Sequence, residues 1–260
     1  MTTVYKKIER ICKKSKLASY ELSNISNFER NKALILISES IIKNTKKILD
    51  ANKKDINKAK KNNLPLNLID RLFLNEDRVN SLSADIKNIA KLEDPLGKKL
   101  SENFRPNGLK ISKVSVPLGV IAVVFESRPN VASDVASLCL KSGNSVILKG
   151  GKEAKNSTDI IIKVFQKELL KTNILPTSVT SIKDYSRDSV NQLFKMDKYI
   201  DVLIPRGGKG LIDHVRKNSN IPVFSHLDGI CHTYIDKYAS RKMAIDIAFN
   251  AKMRRTSICG

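Results

Sequence analysis

Between residues 118 and 218 short apolar runs alternate with amphipathic stretches three times in succession, and no other feature restricts the fold as much. "GVIAVVFE" leads through "SRPN" into the helix-like "VASDVASLCLKSG". "NSVILKGG" leads into "KEAKNSTDIIIKVFQKELLK", and "KYIDVLIPRGG" into "KGLIDHVRKNS". These runs are too continuously apolar for strands with one wet face. They suit a parallel sheet covered by helices on both faces, with right-handed crossovers. "SVTSI" (178–182) offers a fourth strand. The expected class is α/β, with a Rossmann-type parallel sheet.

Sheets of this kind bind ligands beyond the carboxyl ends of their strands. The unusual residues stand there: Glu126, Ser127, Arg128, Pro129 and Asn130, then Lys149, Gly150 and Gly151, then Pro205, Arg206, Gly207 and Gly208. Ahead of the sheet, residues 3 to about 92 read as helical. Val4, Ile8 and Ile11, then Leu34, Ile37, Ile41 and Ile48, keep helical spacing, with breaks at 62–67 and 94–99. Residues 107–116 alternate apolar and polar side chains behind a turn signal, which predicts a hairpin.

Composition separates broad functional classes. A net charge of +21 raises the question of nucleic acid. The Lys and Arg residues are scattered along amphipathic helices, with no aromatic platform between them for bases to stack on. The charge therefore reads as solvated helix faces, able to steer an anionic substrate. Neither nucleic acid nor membrane is expected as a partner. The N-terminus has no apolar signal run, and no stretch approaches a membrane span, so the expected location is cytoplasmic. The four cysteines and three histidines form no metal-ligand spacing, and no metal is expected.

Several residues could carry chemistry. In "LKGGKE" (148–153), Gly150 and Gly151 admit a ligand close to the backbone. Lys149 and Glu153 are placed for the ribose and adenosine side of a nucleotide, or form an ordinary strand-to-helix turn. "IPRGGKG" (204–210) repeats the arrangement, offering Arg206 and the N–H groups of Gly207 and Gly208 to a pyrophosphate. Neither standard nucleotide fingerprint is present. Arg128 suits a phosphate or carboxylate. Asn130 reads either as the N-cap of the following helix or as a donor to an oxyanion. Cys12 and Cys139 are expected to pack in the core. Cys231 and His232 look like the start of a buried strand. Cys259 differs, because Arg254, Arg255, Thr256 and Ser257 precede it, and nearby cations favour a thiolate.

The stretches "FESRPNVASDVASLCLKSGNSVILKGGKEA", "MDKYIDVLIPRGGKGL", "IPVFSHLDGICHTYID" and "NAKMRRTSICG" together closely resemble the gamma-glutamyl phosphate reductase family of the aldehyde dehydrogenase superfamily. The resemblance implies an NADP-binding domain over 1–225, with N-terminal helices over 1–92 and an oligomerisation hairpin at 107–116. The catalytic domain would begin at 226–260. It also implies NADPH-dependent reduction of L-glutamate 5-phosphate to L-glutamate 5-semialdehyde, a step of proline biosynthesis. Cys259 would be the nucleophile, and Asn130 or Arg128 a donor to the oxyanion. Lys149, Gly150, Gly151, Glu153, Arg206, Gly207 and Gly208 would hold the cofactor. His226 stands where hydrolysing relatives carry a Glu, and Asp228 is not expected to replace it as a base. The family continues beyond this cysteine, so a truncated chain, little active alone, is expected. A full-length form would be homo-oligomeric, with possible association to glutamate 5-kinase. The alternative is a non-catalytic partner subunit of a full-length or split reductase.

Overall fold

Several helices begin where the sequence supplies caps. Ser26 accepts from the Glu29 N–H at 3.2 Å to open α2 (Asn27–Lys43), and Asn75 accepts from the Arg78 N–H at 2.9 Å to open α5 (Glu76–Lys91). With α1 (Thr3–Ser23), α3 (Thr45–Lys61) and α4 (Leu66–Leu72) they make the helical segment expected before the sheet, in which α1 covers the opposite face of the sheet from α2 and α5. This computed structural model describes residues 3–225 and 231–253. The chain divides into two compact units, Met1–Ser225 and His226–Gly260.

In the first unit the strands are β3 (Val120–Phe125), β4 (Ser145–Lys149), β5 (Val179–Ser181) and β6 (Val202–Arg206), all parallel in the order β5-β4-β3-β6. Strand β3 is buried at all six positions because both of its faces are used. Ile121, Val123 and Phe125 join the core beneath α2, α5, α6 (Pro129–Lys141) and α7 (Lys155–Leu169). Val120, Ala122 and Val124 point the other way, into a core with Ile8 and Cys12 of α1, Leu193 of α8 (Arg187–Leu193) and Val215 of α9 (Lys209–Asn218). This is the α/β sheet read from the alternation. Cys12 and Cys139 are packing residues, and burial pushes both thiols up to about 12.

Differences from the expectation lie where polar strands or tertiary partners decide. The hairpin pairs β1 (Lys99–Phe104) with β2 (Lys110–Val114), so its first arm precedes the 107–116 stretch. That arm, "KLSENF", is too polar to announce itself. Glu102 holds it together, taking Lys99, Lys110 and Ser112 at 2.6, 3.2 and 3.0 Å. Helix α8 between β5 and β6 is a short addition. In the second unit, Cys231 and His232 are exposed and lie in no strand. An apolar run becomes a strand only when another edge accepts its hydrogen bonds, and the described residues give this one none. The unit's described helix is α10 (Arg241–Met253), which buries none of its side chains.

Asp55, on α3 and only 2% exposed, fastens α3 to α7. Its Oδ1 accepts from the backbone and side chain of Asn156, and its Oδ2 from the N–H and Oγ of Ser157, at 2.7–3.1 Å. A carboxylate from one helix thereby caps the N-terminus of α7, whose own N-cap, Ala154, has no side-chain acceptor. Asn52, one turn earlier, bonds Leu72, Leu74 and Ser157. Replacing Asp55 by Ala strands buried donors, and should cost about 3 kcal/mol of unfolding free energy by urea titration.

Candidate active site

Strands β3, β4 and β6 end side by side. The register pairs Val124 with Lys149 and Phe125 with Arg206, so the turns after them crown one edge of the sheet. The sequence-predicted residues 126–130, 149–153 and 206–208 are thus neighbours in space, although the structure divides them into two groups.

The first group surrounds a cavity of about 280 Å³ lined by Arg71, Glu126, Arg128, Arg206, Gly207 and Gly208, together with Leu68 and Ser127. Ser127 is buried and has φ of 29°, a left-handed conformation that costs a non-glycine residue about 1–3 kcal/mol. This bend turns the chain sharply out of β3 and into α6. Glu126 reaches across to the neighbouring turn, and its Oε2 accepts from the Gly208 N–H at 3.1 Å. A Cβ on Gly207 would lie 2.7 Å from the Glu126 carboxyl carbon, so glycine is what lets the carboxylate approach. A helix N-terminus favours an anion, and here the chain's own carboxylate takes that place at α9.

The second group surrounds Lys149. This side chain is 4% exposed. Its ammonium lies 4.9 Å from the centre of the Tyr185 ring and donates to the Gly150 carbonyl at 3.4 Å. Burial lowers its pKa, against the opposing pull of Asp184 and Glu153. Lys155 approaches the same ring at 5.7 Å. Gly150 is packed tightly, since a Cβ there would lie 3.1 Å from the Phe125 ring. Gly151 leads into a short 3-10 turn, Lys152–Ala154, that carries Glu153. Sequence reasoning missed Tyr185, which follows β5 in a segment without a motif. It also missed Arg71, which comes from the helical layer.

Asn130 is not the N-cap of α6. Pro129 occupies the first helical position and Arg128 the cap, without a side-chain cap bond. The sequence signal was the proline itself, which favours that first position. Asn130 lies one residue further in, and its Nδ2 donates to Asp134 Oδ2 at 3.1 Å. The two side chains face a second cavity of about 360 Å³, between α6 and the sheet, lined also by Val131, Val135, Leu138 and Ile204. Arg128 and Arg206 line both cavities. Burial raises Asp134 to about 6, the Asn130 bond opposes this, and Asp85 on α5 adds to it. Sequence reasoning passed over Asp134, though its place four residues after Asn130 put both on one helix face.

The edge fits a phosphate-bearing nucleotide. Three arginines line the first cavity, and nothing lies within 4 Å of where a Gly208 Cβ would stand. The fit requires Glu126 to yield the Gly208 N–H. Among the described residues no cluster could hold a metal ion, and no helix is long and apolar enough to cross a membrane. Cys259, Arg254, Arg255, His226 and Asp228 lie outside the described residues.

No protein-family model matches the chain. It is 49% identical over 252 residues to a gamma-glutamyl phosphate reductase of a Nitratiruptor species, a match covering 97% of this chain and 61% of that protein. The crystal structure of gamma-glutamyl phosphate reductase from Thermotoga maritima superposes with a TM-score of 0.90 at 36% identity, over 97% of this chain and 61% of that one. A probable aldehyde dehydrogenase from Listeria monocytogenes shares the fold, with a TM-score of 0.64 at 14% identity over 85% of this chain and 45% of its own. The chain thus spans about three fifths of the length of the reductases it matches.

The Asp134 carboxyl has a testable effect on stability. Because its folded value lies above the ordinary 3.8, the folded state holds the proton more tightly. Its contribution is therefore most favourable at low pH and is lost as pH rises from about 4 through 6. Asp134→Asn should raise the unfolding free energy at pH 7 by about 1–2 kcal/mol, discounted for partial exposure, and should change it little at pH 4. Thermal unfolding at the two pH values checks this.

Proposed function

From a chain that belongs to the gamma-glutamyl phosphate reductase family, we infer an NADPH-dependent reduction of L-glutamate 5-phosphate to L-glutamate 5-semialdehyde and phosphate, a step of proline biosynthesis. The likeness over 97% of the chain carries this reading. Because the chain spans 61% of the relatives' length, the complete reaction is assigned to a protein of that length, and the 260 residues alone should turn over little.

The Cys259 thiolate attacks the acyl carbon of the acyl phosphate. A carbon–sulfur bond forms, the carbon–oxygen bond to phosphate breaks, and phosphate leaves with that electron pair. NADPH, which the turns carrying Lys149, Glu153, Arg206, Gly207 and Gly208 would hold, would supply the hydride that reduces the resulting thioester. The thiohemiacetal oxyanion then collapses to the aldehyde: the carbon–sulfur bond breaks and its electron pair returns to the Cys259 thiolate. Asn130 is suited to meet the oxyanion, because an amide carries two N–H donors and Asp134 engages one of them. Arg128 and Arg206, which line both cavities, suit the leaving phosphate and the cofactor phosphates. Lys149 and Glu153 are assigned to the adenosine side, with Tyr185 as the surface from which Lys149 must turn.

The exposed hairpin supports a second reading, in which the chain joins full-length subunits without catalysing anything. Leu100, Phe104, Ile111 and Val114 stand between 41% and 70% exposed on it. Association of this kind would appear as co-purification with a full-length reductase and would be lost with the hairpin.

The reverse assay tests the reaction. A protein extended to the relatives' length should reduce NADP when given L-glutamate 5-semialdehyde and phosphate, and Cys259→Ser should lower kcat by at least about 10³-fold. Retention of the rate by the serine variant would overturn the thioester route. A second test concerns the anion that already occupies the turn. Glu126→Gln should tighten NADPH binding to the 260-residue chain about two- to fivefold by fluorescence titration, since a rival carboxylate leaves the N-terminus of α9.

A further inference from the structure

We propose that Asp134 is the residue that recognises the α-ammonium group of the amino-acid substrate, in the cavity between α6 and the sheet. The proposal rests on the functional reading above and adds to it the group that distinguishes an amino acid from a plain dicarboxylate.

The cavity has the two kinds of wall such a substrate needs. Val131, Val135, Leu138 and Ile204 present apolar surface to a short methylene chain. Among the residues lining this cavity, Asp134 is the one carboxylate, and its neighbour Asn130 holds its Oδ2 at 3.1 Å in a fixed orientation. Arg128 and Arg206 stand where the cavity meets the phosphate-sized one, which sets the acyl-phosphate end of the substrate there. A substrate bridging the two would place its phosphate among the arginines and its remaining groups along α6.

Chain geometry agrees with this orientation. From the acyl carbon to the amino nitrogen of an extended glutamyl group the span is about 5 Å, four single bonds of about 1.5 Å in zigzag. The Asn130 amide nitrogen and Asp134 Oδ2 are 3.1 Å apart, and a hydrogen bond of about 2.8–2.9 Å directed outward from each end lets the two bound atoms stand about 5 Å apart. With the acyl oxygen on Asn130, the ammonium group therefore reaches Asp134 without folding the chain. The electrostatics agree as well. Asp85 from α5 adds negative potential at Asp134, and the other charged residues lining the cavity are Arg128 and Arg206 at its junction. Burial pushes the carboxyl up to about 6, so the ligand-free site bears a cost that an incoming ammonium relieves. Exclusion of water by the apolar walls strengthens that ion pair.

The test needs neither cofactor nor turnover, so it is independent of the reductase reading. The 260-residue chain, labelled at its aspartate carboxyl carbons, is titrated by NMR alone, with saturating L-glutamate 5-methyl ester, and with monomethyl glutarate. The last compound differs only by lacking the α-ammonium. With the amino ester the Asp134 midpoint should fall by about one unit or more, and with the glutarate ester it should stay near its free value. Asp134→Asn should weaken the amino ester at least about tenfold and leave the glutarate ester unchanged. An Asp134 midpoint that responds equally to both esters overturns the proposal. So does a variant that binds the amino ester normally, and so does binding of neither ester. Loss of reductase chemistry in the assay above would leave all three readouts standing.

Discussion

Strand β3 has no wet face, and the rest of the molecule is arranged to make that possible. Six consecutive apolar residues can leave water only if one layer of helices covers Ile121, Val123 and Phe125 and another covers Val120, Ala122 and Val124. On the usual scale of about 25 cal/mol per Å² of apolar surface, a fully buried aliphatic or aromatic side chain contributes about 1.5–3 kcal/mol. A strand of six is therefore a large part of the stability of one domain. Because β3 lies between β4 and β6, its burial also aligns their carboxyl ends. The site is a by-product of that alignment. Three turns that are distant in sequence become one edge because their strands share a register.

Much of this was legible in the sequence. The apolar runs and their spacing gave away the parallel sheet, and the turn residues at 126–130, 149–151 and 206–208 stand at one edge of it, as their places at strand ends implied. What the sequence hid depends on partners remote along the chain. Nothing near Asp55 shows that it caps a helix about 100 residues later, and nothing near Glu126 shows that it crosses to Gly208. The Asn130 cap reading failed for a local reason that was available, namely the preference of Pro129 for the first helical turn. The Cys231 strand failed for a non-local one, since apolar character alone does not provide an edge to pair with.

The two cavities divide the chemistry. The one beside Gly207 and Gly208 carries the charge, being lined by arginines and by a carboxylate on a helix N-terminus. The one along α6 is apolar, with a single carboxylate near an amide among its lining residues. Arg128 and Arg206 belong to both, so a phosphate held by them would lie at the junction. The left-handed Ser127 fixes that junction by turning the chain within one residue from the end of β3 to the start of α6. The strain of that residue is offset by the packing of the helix it introduces, which buries Val131, Ala132, Ala136 and Leu140.

The reach of Glu126 to the Gly208 N–H has a consequence for how quickly the edge can respond. An empty phosphate cradle would hold loosely ordered solvent, and its backbone would be free to drift. Here a tethered carboxylate occupies the turn, so an anion binding there would exchange with one already in position and the turn itself would have little reordering to do.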